Sequence, residues 1–242
     1  GIIASTGEVD TQEAMSGSGR IEISNIDAQG FVINEGMITA QEAGLVAFVA
    51  PLVVNAGVIE ARLGRIELAS GSRATVDLYG DGLVELALDA GRSQSVLNAG
   101  LLEAQGGNIR LQASAASDIV DNLVMNTGVI SATSVGVDGR GRIVLYAQGS
   151  HESSAGGVSA AVNEGVLDAS GYGSSQRGGS IEVLGDVVVL EGGSLISASG
   201  DAGGGDIKIG GDYLGTGDTP RAVYTYVDEE AYIFNDAITR GD

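Results

Sequence analysis

With 242 residues, 40 of them glycine, 2 proline and none cysteine, the chain excludes collagen, which needs abundant proline in a strict three-residue period, and it excludes thiol catalysis, Cys-ligated zinc and iron–sulfur clusters. An apolar fraction of 43% excludes a disordered linker. A formal charge of −20 opposes nucleic acid and anionic membrane surfaces, because binding them rests on Lys and Arg, and Lys208 is the single lysine.

The chain opens on Gly1-Ile2-Ile3-Ala4-Ser5, without the basic start of a signal peptide, and reads as a processed or internal piece. Thr6 to Ser18 is polar and irregular. Gly19-Arg20-Ile21-Glu22-Ile23 then alternates polar and apolar residues, the pattern of a half-buried strand. Asn34-Glu35-Gly36-Met37-Ile38-Thr39-Ala40 introduces a second motif, Asn-x-Gly before an apolar pair and an alanine. Gly44 to Val54 is the most apolar run, but it contains Pro51 and falls short of the roughly eighteen residues of a membrane span.

From there the two motifs interleave. Asn-x-Gly returns at Asn55, Asn98, Asn126 and Asn163, and in worn form at Glu191-Gly192-Gly193-Ser194-Leu195-Ile196-Ser197-Ala198. Gly-x-Ile-x-aliphatic returns at Gly64, Gly107, Gly141, Gly179 and Gly205. After Gly210 the composition shifts, and Tyr213, Tyr224, Tyr226, Tyr232 and Phe234 crowd the end of the chain.

Recurrence with a period of about twenty residues marks a stacked solenoid, in which each turn-plus-strand unit finds its core only against its neighbours. No segment carries helical periodicity over three turns, so no long helix is expected. The fold class is all-β, a parallel β-helix wound from one chain. Asn34, Asn55, Asn98, Asn126 and Asn163 sit at one corner of each coil, where glycine tolerates positive φ and stacked asparagines bond from coil to coil. At about 20 to 22 residues per coil and ~4.8 Å per rung, the chain makes roughly eleven coils and a rod about 50 Å long. The helix is assigned to residues 1–210, with Gly/Ser-rich excursions near 133–140, 148–161 and 170–178. Residues 211–242 are a Tyr-rich continuation of it or an extra-helical strand pair.

The order of these motifs resembles the filamentous haemagglutinin-like exoproteins of two-partner secretion (TpsA-type). The residues that carry the likeness are Gly1-Ile2-Ile3-Ala4-Ser5-Thr6, then Gly44-Leu45-Val46-Ala47, Leu68-Ala69-Ser70-Gly71 and Gly80-Asp81-Gly82-Leu83-Val84. Leu167-Asp168-Ala169-Ser170-Gly171, Gly210-Gly211-Asp212-Tyr213 and Thr225-Tyr226-Val227 continue it. The resemblance implies a right-handed parallel β-helix, export through an outer-membrane transporter, and release from or display on the surface of a Gram-negative bacterium. The family's Asn-Pro-Asn-type secretion motifs are missing, so the chain looks like the end of the secretion domain plus the start of the shaft.

Chemistry-bearing residues are few. Asp77, Asp81, Glu85 and Asp89 with Arg73 are the nearest approach to a β-helical polysaccharide enzyme, but their spacing does not put them on one strand face. His151 stands in a polar loop with no nucleophile arrangement around it. Asp201-Ala202-Gly203-Gly204-Gly205-Asp206 lacks the tandem repetition of a calcium β-roll. Arg240-Gly241-Asp242 spells an integrin-recognition tripeptide, a match short enough to arise by chance. The aromatic set Tyr213, Tyr224, Tyr226, Tyr232 and Phe234 suits stacking on sugar rings or packing under a further coil. No catalytic or metal residue is assigned, and no cofactor beyond loosely bound divalent cations is expected on so acidic a surface.

The function expected is a rigid adhesin or matrix rod that presents binding loops, not an enzyme. A structural block of a fibre, sheath or envelope layer is the alternative, and a polysaccharide-active enzyme is a third reading. The partners expected are the outer-membrane transporter during export, then extracellular glycan, protein or neighbouring copies, without nucleic acid and without a membrane span.

Overall fold

The computed structural model describes residues 1–10, 17, 19–71, 73–77, 94–114, 122–149, 158–217 and 219–239, with the backbone of 84–87. Three parallel sheets of seven strands each share one core and form a parallel β-helix. The first face carries Ile2–Ser5, Leu45–Val49, Arg65–Ser70, Asn108–Ser114, Arg142–Gln148, Ser180–Leu184 and Asp206–Ile209. The second carries Phe31–Asn34, Leu52–Asn55, Gln94–Asn98, Asn122–Asn126, Ser159–Asn163, Val187–Leu190 and Tyr224–Val227. The third carries Met37–Thr39, Val58–Glu60, Leu101–Glu103, Val129–Ser131, Val166–Asp168, Leu195–Ser197 and Tyr232–Phe234. Among the described residues the one helical element is the 3-10 turn Tyr213–Gly215.

Strict alternation produces the core. Ile66, Ile109, Ile143 and Ile181 are register partners on the first face, and each is fully buried. Ile59, Leu102, Ile130, Leu167 and Ile196 make the equivalent stack on the third. Each such side chain contributes about 2 kcal/mol from burial alone. The alanines that close each third-face strand (Ala61, Ala104, Ala132, Ala169 and Ala198) are wholly buried where the chain bends inward.

The coil count differs from the expected eleven, because each face has seven rungs. Successive corner asparagines are 21, 43, 28 and 37 residues apart, so the short period holds once and connections elsewhere lengthen. At ~4.8 Å per strand the described stack is about 34 Å tall rather than 50 Å.

A second difference lies on the outside of the first face. Glu8–Val9, Arg20–Ser24, Arg73–Asp77 and Val84–Ala87 form an antiparallel four-stranded sheet. The motif at Gly19 therefore does not build a coil. Ile21 and Ile23 pack with Ala74 and Val76 against Leu45, Ala47, Val49 and Ala69 in a second, smaller core. Leu45–Val49 is buried at every position, inside against the helix core and outside against this sheet. A strand covered on both faces reads as a continuous apolar run, which is the physical reason for the apolar stretch at Gly44 to Val54.

Candidate interaction site

Two constellations stand out, the Asn-x-Gly corner and the last rung. At the corner, Asn34 Nδ2 donates to Asn55 Oδ1 at 2.7 Å, and Asn55, Asn98 and Asn126 each donate to the next asparagine at 2.8 Å. Asn163 Nδ2 donates to Ser194 Oγ. The second proton of each amide goes to the carbonyl of the glycine two residues on, from Gly36 to Gly165. All five amides are buried. An amide supplies two donors and an accepting oxygen, so in the ladder interior every buried polar group is met.

Glycine is required here for a reason other than the expected positive φ. A Cβ on Gly100 would lie 2.0 Å from Gly57 O, and one on Gly128 2.2 Å from Gly100 O. The corners stack so closely that each glycine leaves room for the carbonyl of the rung before it. Among the described glycines, those of the Asn-x-Gly corners do not have positive φ.

The last rung is Tyr224–Val227 on the second face and Tyr232–Phe234 on the third, each paired in parallel with the strand before it. Tyr224, Tyr226, Tyr232 and Phe234 are all exposed. The Tyr232 and Phe234 rings stack at 6.4 Å with an interplanar angle of 6°. Tyr226 Oη donates to Asp228 Oδ2 at 2.9 Å. That bond pushes the Tyr226 phenol up, and the Glu230 backbone N–H, followed by Tyr226, holds the Asp228 carboxyl below its ordinary value. Tyr213 lies apart from these rings in the 3-10 turn and is 80% exposed. Lys208 Nζ bonds Asp212 Oδ2 at 2.9 Å at the foot of that turn, raising the lysine and lowering the carboxyl.

The other candidate residues are scattered. Arg73 Nε lies 3.9 Å from Glu22 on the neighbouring strand, and Asp77 is in register with Arg20 in the side sheet. Asp81, the Glu85 side chain, Asp89, His151 and Arg240-Gly241-Asp242 lie outside the described residues. Asp201 accepts from Ser175 N and from Thr239 Oγ1, and so ties loops together. A cavity of about 310 Å³ lies between Tyr146, Gln148, Gly149, Asp186 and Pro220, with Asp186 the one carboxylate among the described residues that line it. Among the described residues no three of His, Cys, Asp and Glu converge on a metal position. Among them, too, no helix is long and apolar enough to cross a membrane.

No family model and no curated protein matches the chain. Among solved structures, it is similar to the secretion domain of HMW1 from Haemophilus influenzae, with 28% identity and a TM-score of 0.80. The likeness covers 98% of this chain and 59% of that one, so the chain spans about three-fifths of its length. Three seven-rung faces around one core, matched over nearly every residue, identify the chain as a filamentous haemagglutinin-like, TpsA secretion-domain-like β-helix.

Proposed function

We propose that the chain is a region of a secreted two-partner-system exoprotein of a Gram-negative bacterium, exported through an outer-membrane transporter and then acting as a rigid surface rod. The observation that carries this reading is the likeness to the HMW1 secretion domain over 98% of the chain. The corner asparagines serve the rod and not a ligand, since their amides are buried and bonded to one another. Contacts with extracellular glycan or protein fall to the exposed rings of the last rung and to Tyr213, which offer flat amphipathic surfaces. The rod works without catalysis.

Export is tested by exchanging the matching region of a two-partner exoprotein's secretion domain for this chain, so that the missing secretion motifs are supplied, and directing the product to the periplasm of a Gram-negative host with and without the transporter. The product should reach the medium only with the transporter. Retention with it, or equal release without it, overturns the reading. Glycan-array binding by the chain and by its Tyr226→Ala/Tyr232→Ala variant tests the contact role. Equal binding by the two removes the last rung from that role.

A further inference from the structure

The outer surface of the second face is apolar from end to end. Alternation sends Val53, Val96, Val124, Ala161 and Val188 inward, where each is wholly buried. The outward column begins at Ile33, continues through Val54, Leu97, Met125, Val162 and Val189, and ends at Tyr226. The column beside it runs from Phe31 to Tyr224, and its one polar member is Ser95. Across the Asn-x-Gly corner, the third-face column from Met37 to Tyr232 is apolar throughout. None of these columns carries a charge, on a chain whose formal charge is −20. Phe31 is 61% exposed and Ile33 48%, while the middle rungs are half-buried by one another.

Seven strands at ~4.8 Å, about 20 Å wide across the two strands and their corner, give roughly 700 Å². Soluble monomers rarely expose more than a few hundred Å² of contiguous apolar surface, and a patch of this size marks an interface. A stable complex buries about 800 Å² per partner, so two such faces come close to a standard interface. Flat sheet faces pack on one another at about 10 Å through interdigitating aliphatic side chains. Carboxylates fringe the wall. They also stand on the corner, at Glu35 in the first rung, Glu164 and Glu191 in the fifth and sixth, and Asp228, Glu229 and Glu230 in the seventh, and Glu60, Glu103 and Asp168 lie beyond it. Between the first rung and the fifth the corner is neutral at Ala56, Ala99 and Thr127. A body this acidic meets another like it with least repulsion through the second-face columns, which carry no charge, and the neutral stretch of corner beside them. We propose that the second-face wall is a self-association surface, and that its occupant is a second copy of this chain.

The proposal stands apart from the export reading. A chain that pairs without being exported, or is exported yet never pairs, separates the two. The test is the mass of the whole purified chain by sedimentation and light scattering, across concentration, at about 50 mM and about 500 mM salt. Salt screens the repulsion between acidic bodies, so dimer is expected at both and its dissociation constant should fall about 10-fold at the higher. Leu97→Glu and Met125→Lys, at the centre of the wall, should weaken pairing by ~100-fold or more, because each sets an uncompensated charge between two apolar faces. Val137→Glu, 69% exposed in a loop away from the wall, should leave pairing unchanged. Circular dichroism and melting check that each variant is folded. Because the chain has no cysteine, Met125→Cys gives a second readout. It should yield a disulfide-linked dimer on mild oxidation, and Val137→Cys should not. Monomer under every condition, association undiminished in folded wall variants, or equal cross-linking at both cysteine positions overturns the proposal.

Discussion

The first five corners of the helix and the last two solve the same packing problem in opposite ways. At Asn34, Asn55, Asn98, Asn126 and Asn163 a polar amide occupies the inward corner position. In the next two rungs the register partner is Leu190 and then Val227. Leu190 is as fully buried as the asparagine beneath it. The switch leaves no orphan, because Asn163 turns its donor to Ser194 Oγ on the following corner. The lesson concerns continuity. A buried amide is stable in a stack where every donor meets an acceptor, and an aliphatic side chain is stable where none is needed. A single asparagine among leucines, or a single leucine among asparagines, would satisfy neither.

The glycines break this comparison hardest. Gly100→Ala drives a methyl group into the Gly57 carbonyl, and only a shift of whole rungs relieves it. The expected loss is about 4 kcal/mol or more, in the range of exceptional single substitutions. Gly193 at the sixth corner has a φ of 90°, but its nearest contact for a Cβ is 3.8 Å away. Gly193→Ala should therefore cost only about 1 to 2 kcal/mol, the strain of a left-handed alanine. Urea unfolding of the two variants side by side reads the difference.

The amides come next. Asn98→Ala leaves Asn55 Nδ2 without its acceptor and Asn126 Oδ1 without its donor, both buried, for a loss of about 3 kcal/mol. Asn34→Ala at the open end frees one such group, Asn55 Oδ1, and should cost about 1 kcal/mol. Equal losses at the two positions would mean that the ladder is not the source of the stability.

The smallest effect is at the 3-10 turn inside the last coil, between Asp206–Ile209 and Tyr224–Val227. The Lys208 bond, with help from the Tyr213 backbone N–H, holds the folded Asp212 carboxyl below its unfolded value. A depressed carboxylate contributes stability above the unfolded value, near 3.9, and that contribution is lost as pH falls through the lower folded value. Both side chains are only partly buried, so the readout is local. A carboxyl titration followed by NMR should find Asp212 below the ordinary range and restored toward it in Lys208→Met.

Much of this architecture was legible in the sequence because repetition made each strand's alternation visible several times over. Asn55, Asn98 and Asn126 mark a corner by recurring before the same apolar pair. The side sheet was not legible, because Arg20–Ser24 carries the same alternation as a coil strand. Half-burial against a second core and half-burial against the first look identical at period two. The apolar run at Leu45–Val49 signalled double coverage only once the covering strands were placed. The role of the corner glycines was equally hidden, since it depends on the rung beneath and not on local backbone geometry. The outward second-face columns were present in the sequence, but reading them requires the register of all seven rungs.

Length variation along the chain is unevenly distributed. From second face to third, the link is short at every corner, as from Asn55 to Val58 and from Asn126 to Val129. From first face to second it is short between Val49 and Leu52, but long between Ser70 and Gln94 and between Gln148 and Ser159. The link from third face to first lengthens too, between Ser131 and Arg142 and between Asp168 and Ser180, so two edges of the prism tolerate insertions while the bend pinned by amide and glycine keeps one length from Asn34 to Val166. New loops accumulate along these two seams, at heights set by rung number, so sequences can diverge or be grafted there without disturbing the scaffold that spaces them.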